Sequence, residues 1–432
     1  MSYRKVLADR ICAQLALSTA VGRFAQVMFD VTVVIFVVQD LHRPAAAGLA
    51  VLLATLPGLL LSPLSGGFLQ GRNVTAWMAV DYLIKAAATL GIAFGASAGA
   101  GGIWTLWGLA LLSSLTSAFG NVAFRSYVAL SLPAPLRGAA NGLDSTVSGL
   151  AAMAGPALAG IAVTVFGGRH SVAVVGVAFL AAALVAAASG RTTPEAGGEV
   201  GLRSAVEAVR GILVHPVLRG LTGVYFLYQV AVGVLVVSLP LLVSAGFGAA
   251  PSWTGTSWSI AGALGIVSSL AAGHRITDGA ERRYLVLGAA LTALGLAGLF
   301  LHPAVAWLAA MFVLLGVAVG PMDVGLLGLR QRLLPDTGAT ATLAVSASLN
   351  MAGYPAGAMV GGLTAGLGLG AQTGVALGCA LLSLGLCTRL PMVSAGSGSE
   401  SGSVPTDGPT DVPIDRTADR TAPRAAESSA AP

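Results

Sequence analysis

Charge is what this 432-residue chain has least of: Asp, Glu, Lys and Arg together make up 9 % of it, against roughly 25 % in soluble domains. With 55 % of residues hydrophobic, no water-facing surface can be assembled from such a composition, so the solvent must be a lipid bilayer. Lysine is nearly absent, with only Lys5 and Lys85 against 21 arginines. A Walker A loop ends in a lysine behind a run of glycines; neither lysine has that context, which excludes ATP-driven chemistry of that kind. Histidine and cysteine are equally thin. His42, His170, His215, His274 and His302 fall in loops or near the ends of apolar runs without an H-E-x-x-H motif, and Cys12, Cys379 and Cys387 read as small core residues. No metal, cofactor or disulfide framework is expected. The formal charge of +5 reflects where the arginines sit along a membrane and implies no nucleic-acid partner.

Apolar length is abundant instead. A helix needs about 20 mostly apolar residues to cross the hydrocarbon core, and twelve runs meet that need: 13–38, 47–69, 74–97, 103–124, 142–166, 171–190, 220–244, 253–272, 284–301, 305–329, 340–367 and 372–390. They are continuously apolar and do not alternate, the pattern of helices and not of a barrel. The basic N-terminus leads into an apolar stretch as a secretory leader does, but Arg23 and Asp30 interrupt it, so it reads as an uncleaved first span.

Landmarks repeat at offsets of 198 to 203 residues. Gly71-Arg72 returns as Gly273-His274-Arg275, Leu132-Pro133 with Gly138 as Leu334-Pro335 with Gly338, and Gly155-Pro156 as Gly353-Tyr354-Pro355. An ordered set at one offset points to a duplicated half. The predicted fold is an all-α polytopic membrane protein with twelve transmembrane helices in two pseudo-symmetric six-helix halves, 13–190 and 220–390. Many secondary transporters are built this way, with the substrate site between the halves. A short N-terminus (1–12), a central loop (191–219) and a Gly/Ser/Pro/Thr-rich tail (391–432), too polar to pack a core, complete the chain.

Basic residues set the orientation. With both termini inside, the short inner segments and tail hold nineteen Lys and Arg residues and the outer loops hold Arg43 and Arg169. Trp77, Trp104, Trp107, Trp253, Trp258 and Trp307 all lie near span ends, as an interfacial aromatic belt requires. In the central loop Leu202, Val206, Val209 and Leu213 share one face against Arg203, Glu207 and Arg210, which predicts an amphipathic helix on the inner membrane surface. The Arg-, Ala- and Gly-rich composition is that of a GC-rich bacterial genome, so the expected location is the cytoplasmic membrane of a bacterium.

The twelve runs, the basic central loop, Gly67-Phe-Leu-Gln-Gly71-Arg72 between spans two and three, and Gly155-Pro156-Ala-Leu-Ala-Gly160 in span five resemble the major facilitator superfamily over roughly 11–390. The Gly-Pro stretch is similar to the signature of that family's antiporter branch. LPAPLRGAANGL, GILVHPVLRGL and Asp81 resemble its macrolide-efflux and siderophore-export members. Gly67, Arg72, Gly155, Pro156 and Gly160 are then the conformational motifs. The resemblance implies export of a small organic molecule driven by proton entry. The chain departs from the loop signature at Gly71, Val74, Thr75 and Ala76, and Arg125 stands at the end of span four instead of midway.

A charge at mid-bilayer costs about 2.5–3.5 kcal/mol on insertion scales, so each one needs a reason. In span one Arg23, Gln26 and Asp30 fall on one helical face at i, i+3 and i+7. Arg23 leans toward the helix N-terminus, away from Asp30, so no internal pair is expected. An unpaired acid there can exchange protons near neutral pH, unless it is simply solvated at the outer interface. Asp81 and Lys85, at i and i+4 with the acid first, read as a mutually neutralised structural pair. Tyr225, Tyr228 and Gln229 share a face in span seven, as do Asn350 and Tyr354 in span eleven. Such groups suit a small-molecule pocket or helix-to-helix hydrogen bonds; both readings stand for span seven, and the second is favoured for span eleven. Gly320-Pro321 with Asp323 suggests a kink beside a second protonation site.

The function expected is a secondary active transporter and not an enzyme: proton-coupled export of a small amphipathic neutral or cationic compound by alternating access. Its partners are that substrate, protons and the bilayer, and a monomer suffices. Uptake by the same fold, or a membrane sensor or enzyme without transport, are the alternatives.

Overall fold

In lipid every backbone N–H and C=O must be satisfied within the segment, and the chain answers with helices throughout. The structure, a computed structural model, describes residues 4, 6, 8–69, 72–190, 192–193, 202–276, 279–301, 304–333 and 339–390. Among them are twelve long helices and no strand. The first six are α1 (Arg10–Ile35), α2 (Pro44–Leu69), α3 (Val74–Gly95), α4 (Ala100–Leu130), α5 (Ala134–Phe166) and α6 (Gly168–Ala188). A linker helix (Leu202–Val214) follows, and then α7 (Pro216–Leu241), α8 (Ser252–Arg275), α9 (Glu281–Gly298), α10 (Val305–Leu333), α11 and α12 (Leu369–Arg389). The eleventh is broken into Ala339–Met351 and Gly353–Leu363. The break falls where Pro355, four residues on, offers no N–H to the Met351 carbonyl.

Ten of the helices are long and apolar enough to cross a membrane by length and composition alone. The other two are α9, which opens on Glu281-Arg282-Arg283, and the interrupted α11. Helices also outrun the apolar runs. α5 starts at Ala134 and not at 142, since a helix continues past the lipid where its polar turns are solvated. Start signals are local. Asp9 caps α1, its Oδ1 accepting from Cys12 N–H (2.8 Å), and Asn73 Oδ1 accepts from Ala76 N–H (3.3 Å) at the start of α3. With an even number of crossings, the start of α1, the linker helix and the end of α12 share one face, here the terminal face; the opposite one is the far face.

Within the first half α1 packs on α5 and α6, α2 on α4, and α3 on α4 and α6. In the second, α7 packs on α11 and α12, and α10 on α8 and α9. The halves meet along two seams, α5 against α8 and α2 against α11. The two-hundred-residue offset carries α2 to α8 and α5 to α11, so each seam is the image of the other. Both close tightly at the far face, where glycine lets backbones touch. A Cβ on Gly160 would lie 3.1 Å from Gly255 Cα, and one on Gly48 would lie 3.1 Å from Gly362 Cα. Gln39 Nε2 donates to the Pro240 carbonyl (3.4 Å) beside them. Toward the terminal face the α5–α8 seam is looser, with Gly149 facing the tip of Ile266.

Two expectations change in detail. The linker helix forms, but Ile212 is buried with Leu218 of α7 and Val345 of α11, so part of its apolar face docks on protein. Trp258 lies on the wall of an internal cavity, edge-on to Phe312, and is no part of an interfacial belt. The expected disordered tail, Gly71, Arg191, His302, Leu334-Pro335 and Gly338 lie outside the described residues.

Candidate functional site: a cavity between the halves

Between the seams lies a cavity of about 590 Å³, within the 300–1,000 Å³ usual for small-molecule sites. Its wall comes from both halves: α1 (Val27, Asp30, Val34) and α5 (Ser145, Gly149, Pro156) on one side, α7 (Tyr228, Leu235, Pro240), α8 (Thr254, Trp258, Ile266, Leu270) and α10 (Val319, Asp323) on the other, with Thr292 and Tyr354 from α9 and α11. Aliphatic side chains dominate. Asp30 and Asp323 are the ionisable acids on it, and no Lys, Arg or His joins them among the described residues.

Asp30 faces the cavity from α1, its Oδ1 accepting a hydrogen bond from Gln26 Nε2 one turn earlier (3.0 Å). Asp323 faces it from α10, beside Pro321 inside that helix, and accepts from the Tyr225 hydroxyl at 2.6 Å. The Tyr225 and Tyr228 rings lie 5.3 Å apart, Tyr225 behind the wall and Tyr228 on it. Asp30, Asp323, Tyr228 and Tyr354 are thus brought together, with Pro156 on the same wall.

The other candidates lie elsewhere. Arg23 turns to α5, where Nη2 meets Asp144 Oδ1 (2.7 Å) and Nη1 donates to the Asp144 carbonyl (2.9 Å) and to Ser148 Oγ. Gln26 serves Asp30. Gln229 Nε2 donates to Met351 Sδ (3.2 Å). Asn350, buried in α11, turns its amide so that the oxygen accepts from Arg330 Nη2 (2.5 Å) and the nitrogen donates to the Ser346 carbonyl (3.2 Å). A shared helical face showed that these residues point one way, not which neighbour stands there. Gly155 abuts Val27 of α1, and Gly160 seals the far-face seam. Gly67 lies in α2 where only backbone is described, and Arg72 is exposed on the terminal face. Asp81 and Lys85 form a buried ion pair at 3.1 Å, away from the cavity wall.

Asp144 is the residue the sequence reading missed. Its carboxylate receives Arg23 and also Arg125 Nε of α4 (3.0 Å). The signal was indirect: two arginines at spans one and four with no acid assigned, and one acid just inside span five.

Two six-helix halves joined by two symmetry-related seams around a central cavity define a secondary transporter. The chain belongs to the Major Facilitator Superfamily, whose family profile matches residues 15–358. It is 30 % identical over 363 residues to the uncharacterized MFS-type transporter y4rN of Sinorhizobium fredii, covering 83 % of this chain and 90 % of that one. Among solved structures it is similar to a bacterial homologue of the iron transporter ferroportin in an inward-facing state, with a TM-score of 0.67 at 16 % identity over 88 % of this chain and 98 % of that one. A bacterial homologue of the human lysosomal transporter Spinster, inward-facing and unoccupied, gives 0.62 at 14 % identity over 88 % and 95 %. At those identities the structures share the fold alone. Fold and family together make this a polytopic membrane transporter of small molecules.

Proposed function

We propose that the protein is a proton-coupled exporter of small amphipathic organic compounds, working as a monomer by rocking its halves about the central cavity. The observation that supports this best is the pair of acids, Asp30 and Asp323, facing one apolar cavity from opposite halves. An intramembrane acid is costly and marks a substrate or proton path. Asp30, whose described hydrogen bond is an ordinary amide contact, is the first choice for proton exchange. The nineteen-to-two distribution of basic residues favours a cytoplasmic terminal face, so the glycine-tight far ends would close the outer side. Export rather than uptake rests on the Gly155-Pro156 resemblance.

Inverted membrane vesicles test this. Respiration acidifies the lumen, candidate amphiphiles are added, and proton release is read with a pH-sensitive dye. Release that needs this protein and is lost in Asp30→Asn is the expected result. Release untouched by that substitution removes Asp30 from the coupling role, and no release across neutral and cationic compounds contradicts export.

A further inference from the structure

Asp30 and Asp323 share a cavity but are held differently. Asp323 Oδ1 accepts the Tyr225 hydroxyl at 2.6 Å, a well-formed O–H···O hydrogen bond. Tyr225 is buried behind the wall, so it fixes the carboxylate from the rear and leaves Oδ2 without a hydrogen bond among the described residues. Beside it Tyr228 is 7 % exposed, lines the cavity, and its hydroxyl has no partner among the described residues. Thr254, 1 % exposed on the same wall, also has an unpaired hydroxyl. Buried polar groups left open in this way await a ligand or water. Among the described residues the hydrogen bond to Asp30 comes from the neutral amide of Gln26 on its own helix, with the charge of Lys85 in α3 felt at longer range.

An aimed carboxylate in a wall without a base is satisfied either by a proton or by a cation from outside the protein. The aromatic ring of Tyr228, next to Tyr225 and on the same wall, attracts the same charge, and the aliphatic remainder suits an apolar body.

We infer that the cargo is a lipophilic organic cation, and that Asp323, aimed by Tyr225 and flanked by Tyr228, receives its charge while Asp30 is left to exchange protons. The role given to Asp30 rests on the proposed antiport; the cation site does not. Tyr225 is a positioning residue here, and Asp323 the binding group.

The test is binding, separate from transport. The full-length protein in lipid nanodiscs is titrated with tetraphenylphosphonium and with its isosteric anion tetraphenylborate, against empty nanodiscs. The cation should bind at least tenfold more tightly than the anion. Asp323→Asn should remove that preference, Tyr225→Phe should weaken cation binding several-fold, and Asp30→Asn should weaken it less than Asp323→Asn does. Equal affinities, tighter binding of the anion, or binding of neither ion overturns the inference on the unaltered protein, whether or not a variant folds. Selective cation binding without proton release in vesicles would sink the export reading and leave this site standing. Proton release by neutral compounds with no cation binding would do the reverse.

Discussion

The two halves brace their fourth and fifth helices at matching places with different chemistry. In the first, Arg125 of α4 and Arg23 of α1 share the carboxylate of Asp144 on α5. In the second, Arg330 of α10 meets the amide of Asn350 on α11, at offsets of 205 and 206 residues from Arg125 and Asp144. Two guanidiniums on one carboxylate leave one positive charge, and so does one guanidinium on a neutral amide. Each half also places one acid on the cavity wall. The duplication has thus kept the charge count of the brace while trading the residues that make it up. The halves differ again in depth: α3 carries the buried pair Asp81–Lys85, whereas its counterpart α9 has Glu281, Arg282 and Arg283 in its first turn at the terminal face.

The hardest break in that comparison is at the deep pair. Asp81→Leu or Lys85→Leu alone strands a buried charge and should cost about 3–5 kcal/mol. The double substitution should recover most of it, since paired removal leaves no charge to desolvate. Thermal unfolding of the purified variants measures this cycle, and additive losses would show that the two residues act apart. Next comes Asp144→Leu, expected to cost about 3 kcal/mol. Most of that comes from Arg23, whose side chain is 16 % exposed; Arg125, at 64 %, contributes about 1 kcal/mol at most. A melting temperature equal to that of the parent would mean Asp144 holds nothing. The smallest effect belongs to the neutral brace. Asn350→Leu removes one acceptor from a buried guanidinium, about 1–2 kcal/mol, while Asn350→Asp should be tolerated or stabilising, because it recreates the ionic chemistry of the other half. A strongly destabilised Asn350→Asp would show that the braces are not equivalent.

Much of this was legible in the sequence, because a bilayer permits so few solutions. Twelve apolar runs and landmarks at one offset were enough for twelve helices in two halves, and i, i+4 spacing was enough for Asp81 and Lys85. Helix ends were harder to read, as at α5, because apolarity stops at the lipid boundary while hydrogen bonding does not. The site was legible only by face. Periodicity grouped Arg23 with Asp30, and Tyr225 with Tyr228, yet within each group one residue meets the cavity and the other a neighbouring helix. Asp144 and Arg330 gain their meaning from α1, α4 and α11, and no local pattern encodes those partners.

Pro156 and Pro355 occupy corresponding helices, yet α5 runs unbroken past its proline and α11 divides at Ala352. In mechanical terms one seam hangs on a single beam and the other on two rods laid end to end. The upper rod carries Tyr354 into the cavity and is clamped backbone to backbone on α7 and α2 through Gly353, Gly357 and Gly362, so a doubled chain has given its two seams unlike spines.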